Sequence, residues 1–101
     1  MICLTNDEQN TVISLLKTYA TDQPYTVDVF GSRAMGTAKK YSDVDIALKG
    51  RHAVPMQTLA SLNESLENSN LPCTVDVVDY QCASLQLQSQ IDQHGLPLVT
   101  V

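Results

Sequence analysis

A glycine-serine pair and an acid-apolar-acid triplet, separated by ten residues, constrain this chain more than any other part of its sequence. Gly31-Ser32 follows a run of β-forming residues, and Asp43-Val44-Asp45 begins a second such run. Glycine and serine favour a turn, and glycine allows the backbone to approach another group closely. Alternate residues of a strand lie on opposite faces, so Asp43 and Asp45 share one face while Val44 lies on the other. The segment therefore predicts two strands joined by a turn and a polar loop.

The rest of the chain predicts helices and strands in mixed order. Thr5 and Glu8 have the spacing of a capping box, and apolar residues follow at helical intervals. The expected helices span residues 6–20, 56–68 and 84–94, with a short helical turn at 33–36, and the expected strands span 25–30, 42–49 and 73–78. Residues 96–101 are expected to add a short extended tail. This order predicts an α/β (α+β) fold, in which helices pack on a small mixed β-sheet.

The periodic positions of apolar residues predict which side of each element is buried. The core is expected to include Val44, Ile46, Leu48, Leu85, Leu87 and Ile91. Asp28, an acid within the first strand, could line the edge of a site formed by the Gly31–Asp45 segment, but a solvent-facing position is preferred.

Composition narrows the possible classes of protein. With 101 residues, 44% of them hydrophobic, the chain is expected to form one domain, residues 1–101. A net charge of −5 argues against a general nucleic-acid binder. The sequence shows neither a leader peptide nor an apolar run of the ~20 residues that a membrane span needs. Three cysteines without a CxxC spacing favour a reducing cytoplasm.

Basic residues are concentrated near the Gly31–Asp45 segment. Of the six lysines and arginines, five lie within or shortly after it: Arg33, Lys39, Lys40, Lys49 and Arg51. This clustering predicts a rim that faces an anion. The alternative is a solvated loop with ordinary lysines, which is the preferred interpretation for Lys39 and Lys40 taken singly.

The acids of the second strand indicate a metal site. Carboxylates as close as those of Asp43 and Asp45 repel each other unless a cation offsets their charge. Oxygen ligands suit magnesium, which binds through one or two carboxylates together with substrate phosphates. The third predicted strand offers two candidates for a further carboxylate. Asp76 lies between two valines and is preferred, whereas Asp79, at the strand end, is expected to be solvated or to cap a turn.

The turn before these acids indicates a phosphate site. Backbone N–H groups in such a turn or at a helix start can bind phosphate oxygens, and the Ser32 hydroxyl adds a donor. Most glycine-serine pairs are ordinary turns, so Gly31-Ser32 alone is a weak signal. Its combination with Asp43-Val44-Asp45 on the next strand is specific.

This combination resembles the motif of the minimal nucleotidyltransferases of the DNA polymerase β superfamily: Gly-Ser, ten residues, then Asp-x-Asp. Segments 30–36 and 41–48 are also similar to the family's sequence around the motif, and the resemblance in element order covers nearly the whole chain. Met35 departs from the pattern, since many relatives carry a basic residue there. The departure implies a less basic triphosphate clamp and leaves the metal site unaffected.

The resemblance implies a reaction and a site. The implied metal-binding and catalytic residues are Asp43, Asp45 and Asp76, and the implied nucleotide-binding residues are Gly31, Ser32 and Arg33. Two magnesium ions are expected, with ATP or another nucleoside triphosphate as substrate. An acceptor hydroxyl would attack the α-phosphorus, and pyrophosphate would leave. Arg33 would either contact the phosphates or fix the turn by hydrogen bonds.

The resemblance also implies a partner, a helical protein of the HEPN type. In the leading hypothesis the chain is the antitoxin of a toxin–antitoxin pair and transfers AMP to a tyrosine of the HEPN toxin. A first alternative is the catalytic subunit of a two-component transferase that acts on a small molecule, such as an aminoglycoside. A second is an antitoxin that neutralises its partner by contact alone. The sequence leaves open the nucleobase and whether the chain forms a homo-oligomer.

Overall fold

The computed structural model describes residues 5–31, 44–71 and 74–101. Its elements are, in order, α1 (Asn6–Tyr19), β1 (Thr26–Phe30), β2 (Val44–Lys49), α2 (Met56–Glu67), β3 (Val75–Asp79), a 3-10 turn (Tyr80–Cys82), α3 (Leu85–His94) and β4 (Leu96–Thr100). The helices and strands that the sequence predicts in these three ranges are confirmed, with described ends that differ by one residue. The predicted starts of the second strand, at 42–43, and of the third, at 73, lie outside the described residues. The short helical turn predicted at 33–36 lies outside the described residues.

Helix α1 begins with the capping box that the sequence predicts. The Thr5 hydroxyl accepts a hydrogen bond from the Glu8 N–H at 3.1 Å, and the Glu8 carboxylate accepts one from the Thr5 N–H at 2.9 Å. These two bonds satisfy N–H groups that the first helical turn leaves without partners, a contribution of about 1 kcal/mol. Val12 and Leu16 form the buried side of the helix. Local sequence therefore determines both where α1 begins and which side it buries.

Helix α3 differs from the prediction in one respect, because Leu85 is 85% exposed and is not a core residue. The Ser84 hydroxyl caps the helix by accepting from the Leu87 N–H at 3.1 Å, so Leu85 is the first helical residue. At 100° per residue, Leu85 lies about 200° around the helix from Leu87 and about 240° from Ile91. Ile91 is buried and Leu87 is partly buried, so these two residues mark the packed side of the helix. Leu85 lies on the other side, which faces solvent.

The four strands form one mixed sheet in the order β3-β2-β1-β4. Strand β1 is antiparallel to both β2 and β4, whereas β2 and β3 are parallel and are connected through α2. A parallel connection needs a crossover of a dozen or more residues, and α2 provides it. The C-terminal segment, predicted only as an extended tail, is a paired strand. Its residue Val101 also exchanges two backbone hydrogen bonds of 2.9 Å with Tyr25.

The two faces of the sheet bury different sets of side chains. Helices α1 and α2 pack on one face against the main core, which includes Val12, Leu16, Val27, Val29, Val44, Ile46, Leu48, Leu62, Leu66, Val75 and Val77. Helix α3 packs on the other face, where Phe30, Ala47 and Ile91 form a smaller buried cluster. We call this second face the α3 face. Along β2, the residues that alternate with the main core are Asp45, Ala47 and Lys49, so the Asp45 carboxylate lies on the α3 face.

In the three ranges that the structure describes, no helix combines the length and the apolar character needed to cross a lipid bilayer.

Candidate functional site

Asp45 and Asp76 lie directly beside each other on neighbouring strands. They are Cα partners in the parallel pairing of β2 with β3, in which adjacent strands are about 4.8 Å apart. Paired residues of parallel strands project to the same side, here the α3 face. Asp45 is half-buried and Asp76 is exposed. Two like charges this close favour a cation between or beside them, and carboxylate oxygens are ligands that suit magnesium.

Gly31 lies against the Asp45 carboxylate. It directly follows Phe30, the last residue of β1, and Phe30 is the antiparallel Cα partner of Asp45. The φ angle of Gly31 is +74°, a conformation that residues with a side chain seldom adopt. A Cβ atom at this position would lie 2.6 Å from Asp45 Oδ2. The turn that the sequence predicts after the first strand therefore begins at Gly31. Glycine suits this position for two reasons, the positive φ angle and the closeness of the Asp45 carboxylate.

The other predicted site residues, Ser32, Arg33 and Asp43, lie outside the described residues. The structure thus brings together three of the six: Gly31, Asp45 and Asp76. Within 5–31, 44–71 and 74–101 there is no group of three or more histidine, cysteine or acidic side chains placed to hold a metal ion. The described part of the site is a pair of carboxylates.

Asp79, the alternative third carboxylate, has a structural role on the other face of the sheet. It is three residues from Asp76, so the two side chains leave opposite faces of β3. Asp79 is only 6% exposed, and its Oδ2 accepts a hydrogen bond from the Val54 N–H at 2.9 Å. Its Oδ1 accepts from the Gln81 N–H at 3.1 Å and caps the 3-10 turn. The predicted turn cap is confirmed, and the predicted solvated position is wrong because these two N–H groups bind the carboxylate in the interior.

Asp28 is also buried, which contradicts its predicted solvent-facing position. It is 6% exposed on the α3 face, where its Oδ2 lies 3.0 Å from Lys49 Nζ. Lys49 also lies 3.5 Å from Oδ1 of Asp92, a residue of α3. Because α3 packs over this part of the sheet, it excludes water from Asp28, and the lysine supplies the opposite charge. The sequence features that could have indicated this ion pair are an acid within an apolar strand and a basic residue at the end of the next strand.

The pKa of Lys49 reflects this environment. Burial lowers it, but the hydrogen bond and the charge of Asp28, followed by those of Asp92, outweigh burial, so that the pKa is raised from its usual value of 10.5. Lys49 is therefore a charged partner of Asp28. It is four residues from Asp45 along β2, roughly 13 Å at 3.3 Å per residue, and its ammonium group is paired with Asp28 and Asp92. The anion-facing rim stays a prediction.

Tyr80 extends the same network. Its hydroxyl donates to the Asp92 carboxylate, at 3.0 and 2.9 Å from the two oxygens, and Lys49 Nζ lies 5.0 Å from the centre of its ring. The hydrogen bond to Asp92 raises the pKa of Tyr80. These contacts connect the 3-10 turn and α3 to β2 and stabilise the helix on the face that carries Asp45 and Asp76.

A family model described as polymerase beta, nucleotidyltransferase matches residues 10–100 of the chain. This range contains the strands that carry Asp45 and Asp76, and it also contains Gly31. It covers most of the chain and agrees with the motif that the sequence shows.

Relatives and solved structures agree with this match. The chain is 36% identical over 81 residues, 80% of its length and 69% of the relative's, to a Haemophilus influenzae protein named as a probable protein adenylyltransferase, MntA. It resembles a chain in the crystal structure of a toxin–antitoxin with AMP-PNP, with a TM-score of 0.77 and 31% identity, covering 90% of this chain and 72% of that one. It also resembles a chain of a complex between a tri-AMPylated Shewanella oneidensis HEPN toxin and an MNT antitoxin. The TM-score is 0.70 and the identity is 27%, and the match covers 90% of this chain and 68% of that one. The chain belongs to the polymerase beta nucleotidyltransferase family.

Proposed function

We propose that this nucleotidyltransferase transfers AMP from ATP to a hydroxyl group and releases pyrophosphate. The observation that carries the proposal is the direct pairing of Asp45 with Asp76, beside the glycine that ends β1. The adenylyl group is proposed because the Haemophilus relative is named as a protein adenylyltransferase and a similar structure contains AMP-PNP.

Asp43, Asp45 and Asp76 would hold magnesium. The described pair fits this role, since both carboxylates lie on one face at neighbouring positions and Asp76 is open to solvent. Two magnesium ions, when bound, would stabilise the entering and leaving oxygens of the displacement. Asp76, at the exposed side of the pair, would also accept the proton of the acceptor hydroxyl.

Gly31 and Ser32 would orient the triphosphate. Backbone N–H groups that follow a strand in a glycine turn can donate to phosphate oxygens, and the Ser32 hydroxyl would add a donor. Arg33 would either contact the phosphates or fix the turn. Catalysis would then depend on positioning the α-phosphorus in line with the acceptor oxygen and on charge stabilisation.

The proposed acceptor is a tyrosine of a HEPN-type partner, so that the chain acts as the antitoxin of a toxin–antitoxin pair. Two of the similar structures are toxin–antitoxin complexes, and in one of them the HEPN toxin is tri-AMPylated. A reducing cytoplasm suits a reaction that consumes ATP and a chain whose exposed Cys82 is a free thiol.

The experiment is to co-purify the chain with the product of its neighbouring gene, add ATP and magnesium, and weigh the partner by intact mass spectrometry. We expect the partner to gain the mass of one or more AMP units. Tandem mass spectrometry should place them on tyrosine. A matched preparation that carries Asp45→Asn and Asp43→Asn should give no adduct.

Three results would contradict parts of the proposal. A partner that gains no mass with ATP or any other nucleoside triphosphate excludes a protein acceptor. A labelled aminoglycoside or other small molecule in the same mixture would favour the two-component transferase. Full neutralisation of the partner by the variant with Asp43→Asn and Asp45→Asn would favour inhibition by contact alone.

A further inference from the structure

We propose that Gly31 is a positioning residue for the metal site: by having no side chain, it leaves the space in which the Asp45 carboxylate is held. This inference rests on the proposed function, in which Asp45 binds magnesium. It gives Gly31 a role that precedes nucleotide binding and is separate from donating to a phosphate.

Among the described residues, the contact is with one side chain. Apart from the chain neighbours of Gly31, the three described heavy atoms nearest to a Cβ built on it are Oδ2, Cγ and Cβ of Asp45, at 2.6, 3.6 and 3.8 Å. Side-chain atoms in folded proteins do not approach each other as closely as 2.6 Å without a hydrogen bond, and a methyl group cannot form one. Any residue other than glycine at position 31 would therefore displace the Asp45 carboxylate.

The backbone of Asp45 cannot relieve this overlap. Asp45 lies in β2, between β1 and β3, and it is paired with Phe30 on one side and with Asp76 on the other. Its neighbours Val44 and Ile46 are fully buried on the opposite face. Gly31 directly follows Phe30, which is itself paired with Asp45, so both backbones are held at this point. The end of the Asp45 side chain, the proposed metal ligand, is the part that is left to move.

Gly31 has two proposed roles, donating its N–H to a phosphate and positioning the Asp45 carboxylate, and only the first requires a bound nucleotide. A residue that only donates to phosphate affects ATP affinity and leaves the nucleotide-free metal site unchanged. A residue that positions Asp45 affects the metal site even without nucleotide. Binding of Mn²⁺ to the free protein, measured by electron paramagnetic resonance, therefore separates the two.

The experiment compares the full chain with Gly31→Ala and Gly31→Asn. Asparagine tolerates a positive φ better than alanine and carries the same Cβ, so its variant separates the contact from backbone strain. The matched control is Gly50→Ala. A Cβ at Gly50 would lie 2.7 Å from the Gln23 side chain, an overlap of similar depth at the opposite end of β2. Circular dichroism checks the fold of each variant.

We expect both Gly31 variants to bind Mn²⁺ about 10- to 100-fold more weakly than the wild type without nucleotide, the usual effect of removing support from a metal ligand. Gly50→Ala should bind Mn²⁺ as the wild type does.

Folded Gly31 variants with wild-type Mn²⁺ affinity would overturn the inference, whether or not their ATP affinity falls. Loss of fold in both variants, with Gly50→Ala folded, would also overturn it, because Gly31 would then serve only the backbone. A wild-type chain that binds no Mn²⁺ even with ATP would instead refute the proposed metal site itself.

Discussion

Asp45 and Asp76 are Cα partners in the parallel pairing of β2 with β3, and this register places their carboxylates side by side on the α3 face. The same register pairs Val44 with Val75 and Ile46 with Val77 in the main core. A shift of one residue would move every side chain of a strand to the other face and would expose its valines. Burial of the apolar residues on one face therefore fixes the geometry of the acids on the other.

Asp76→Asn tests the proposed role of this pair. Asparagine has the size of aspartate but lacks its charge and its ability to accept a proton, so we expect the rate of AMP transfer to fall by about 10²- to 10⁴-fold. Because Asp76 is exposed, the free energy of unfolding should change by no more than about 0.5 kcal/mol. Labelling of the partner with ATP and urea denaturation measure the two quantities.

Asp79→Asn is the matched variant on the same strand, with the opposite expectation. The Asp79 carboxylate accepts hydrogen bonds from the N–H groups of Val54 and Gln81 in a buried position. Weakening these bonds should lower the free energy of unfolding by about 1–3 kcal/mol, while the folded protein keeps its transfer rate. If instead Asp79→Asn abolishes transfer and Asp76→Asn does not, the choice of Asp76 as the third carboxylate is wrong.

Lys49→Met tests the buried ion pair that holds α3 on the sheet. Methionine retains the apolar stem of lysine but leaves the Asp28 carboxylate buried without its cation. We expect a loss of about 1–3 kcal/mol in the free energy of unfolding, less than for a fully buried pair because the Lys49 side chain is 26% exposed. Urea denaturation at neutral pH measures it.

Two controls distinguish the contribution of the Lys49–Asp28 pair from that of the neighbouring Asp92 and from the cost of an unpaired charge. Asp92→Asn removes the exposed partner of Lys49 and should cost less than about 1 kcal/mol. Adding Asp28→Asn to Lys49→Met removes the uncompensated charge, so the double variant should be more stable than Lys49→Met alone. A double variant that is less stable would show that Asp28 and Lys49 are not coupled.

The raised pKa of Lys49 predicts how stability depends on pH. The charged lysine is favoured in the folded state, so its contribution is fully present below the usual pKa of 10.5 and is lost as the pH rises through the higher pKa of the folded state. The wild type should therefore lose more stability between about pH 10 and pH 12 than Lys49→Met does. Tyr25, whose pKa is also raised, titrates in both proteins and cancels in the comparison. The charge of Lys49 lowers the pKa of Tyr80, so both proteins are compared in a Tyr80→Phe background. Equal losses of stability in the two proteins would contradict the assignment of Lys49 as the charged partner of Asp28.

Much of the fold was predictable because it depends on local sequence. The capping box of Thr5 and Glu8 and the spacing of Val12 and Leu16 determine α1 without reference to any other element. Part of what failed depended on α3. Asp28 was expected in solvent because its strand alone does not reveal that a helix packs on the second face and that Lys49 supplies a counter-charge. The pairing of the C-terminal segment as β4 is non-local in the same way.

The geometry of the candidate site was predictable in part for a similar reason. Strand alternation was enough to predict that Asp45 lies opposite the main core, and the flanking valines correctly indicated that Asp76 leaves the sheet on the exposed side. The contact between Asp45 Oδ2 and Gly31 could not be predicted, because it depends on the register of β1 with β2. The roles of Ser32, Arg33 and Asp43 remain predictions from the motif.

Cys82 provides a test of the hydrogen bonding around the 3-10 turn. A side-chain hydrogen bond to Asp79, followed by the charge of that carboxylate and by burial, raises the pKa of the Cys82 thiol above its usual value. Although the residue is exposed, the fraction of reactive thiolate at pH 8 should therefore be lower than for an ordinary thiol. We expect iodoacetamide to alkylate Cys82 more slowly than a cysteine-containing model peptide, and Asp79→Asn to accelerate the reaction in the folded protein. Peptide mapping by mass spectrometry follows Cys82 separately from Cys3 and Cys73. A rate that Asp79→Asn leaves unchanged would show that Asp79 does not control the thiol.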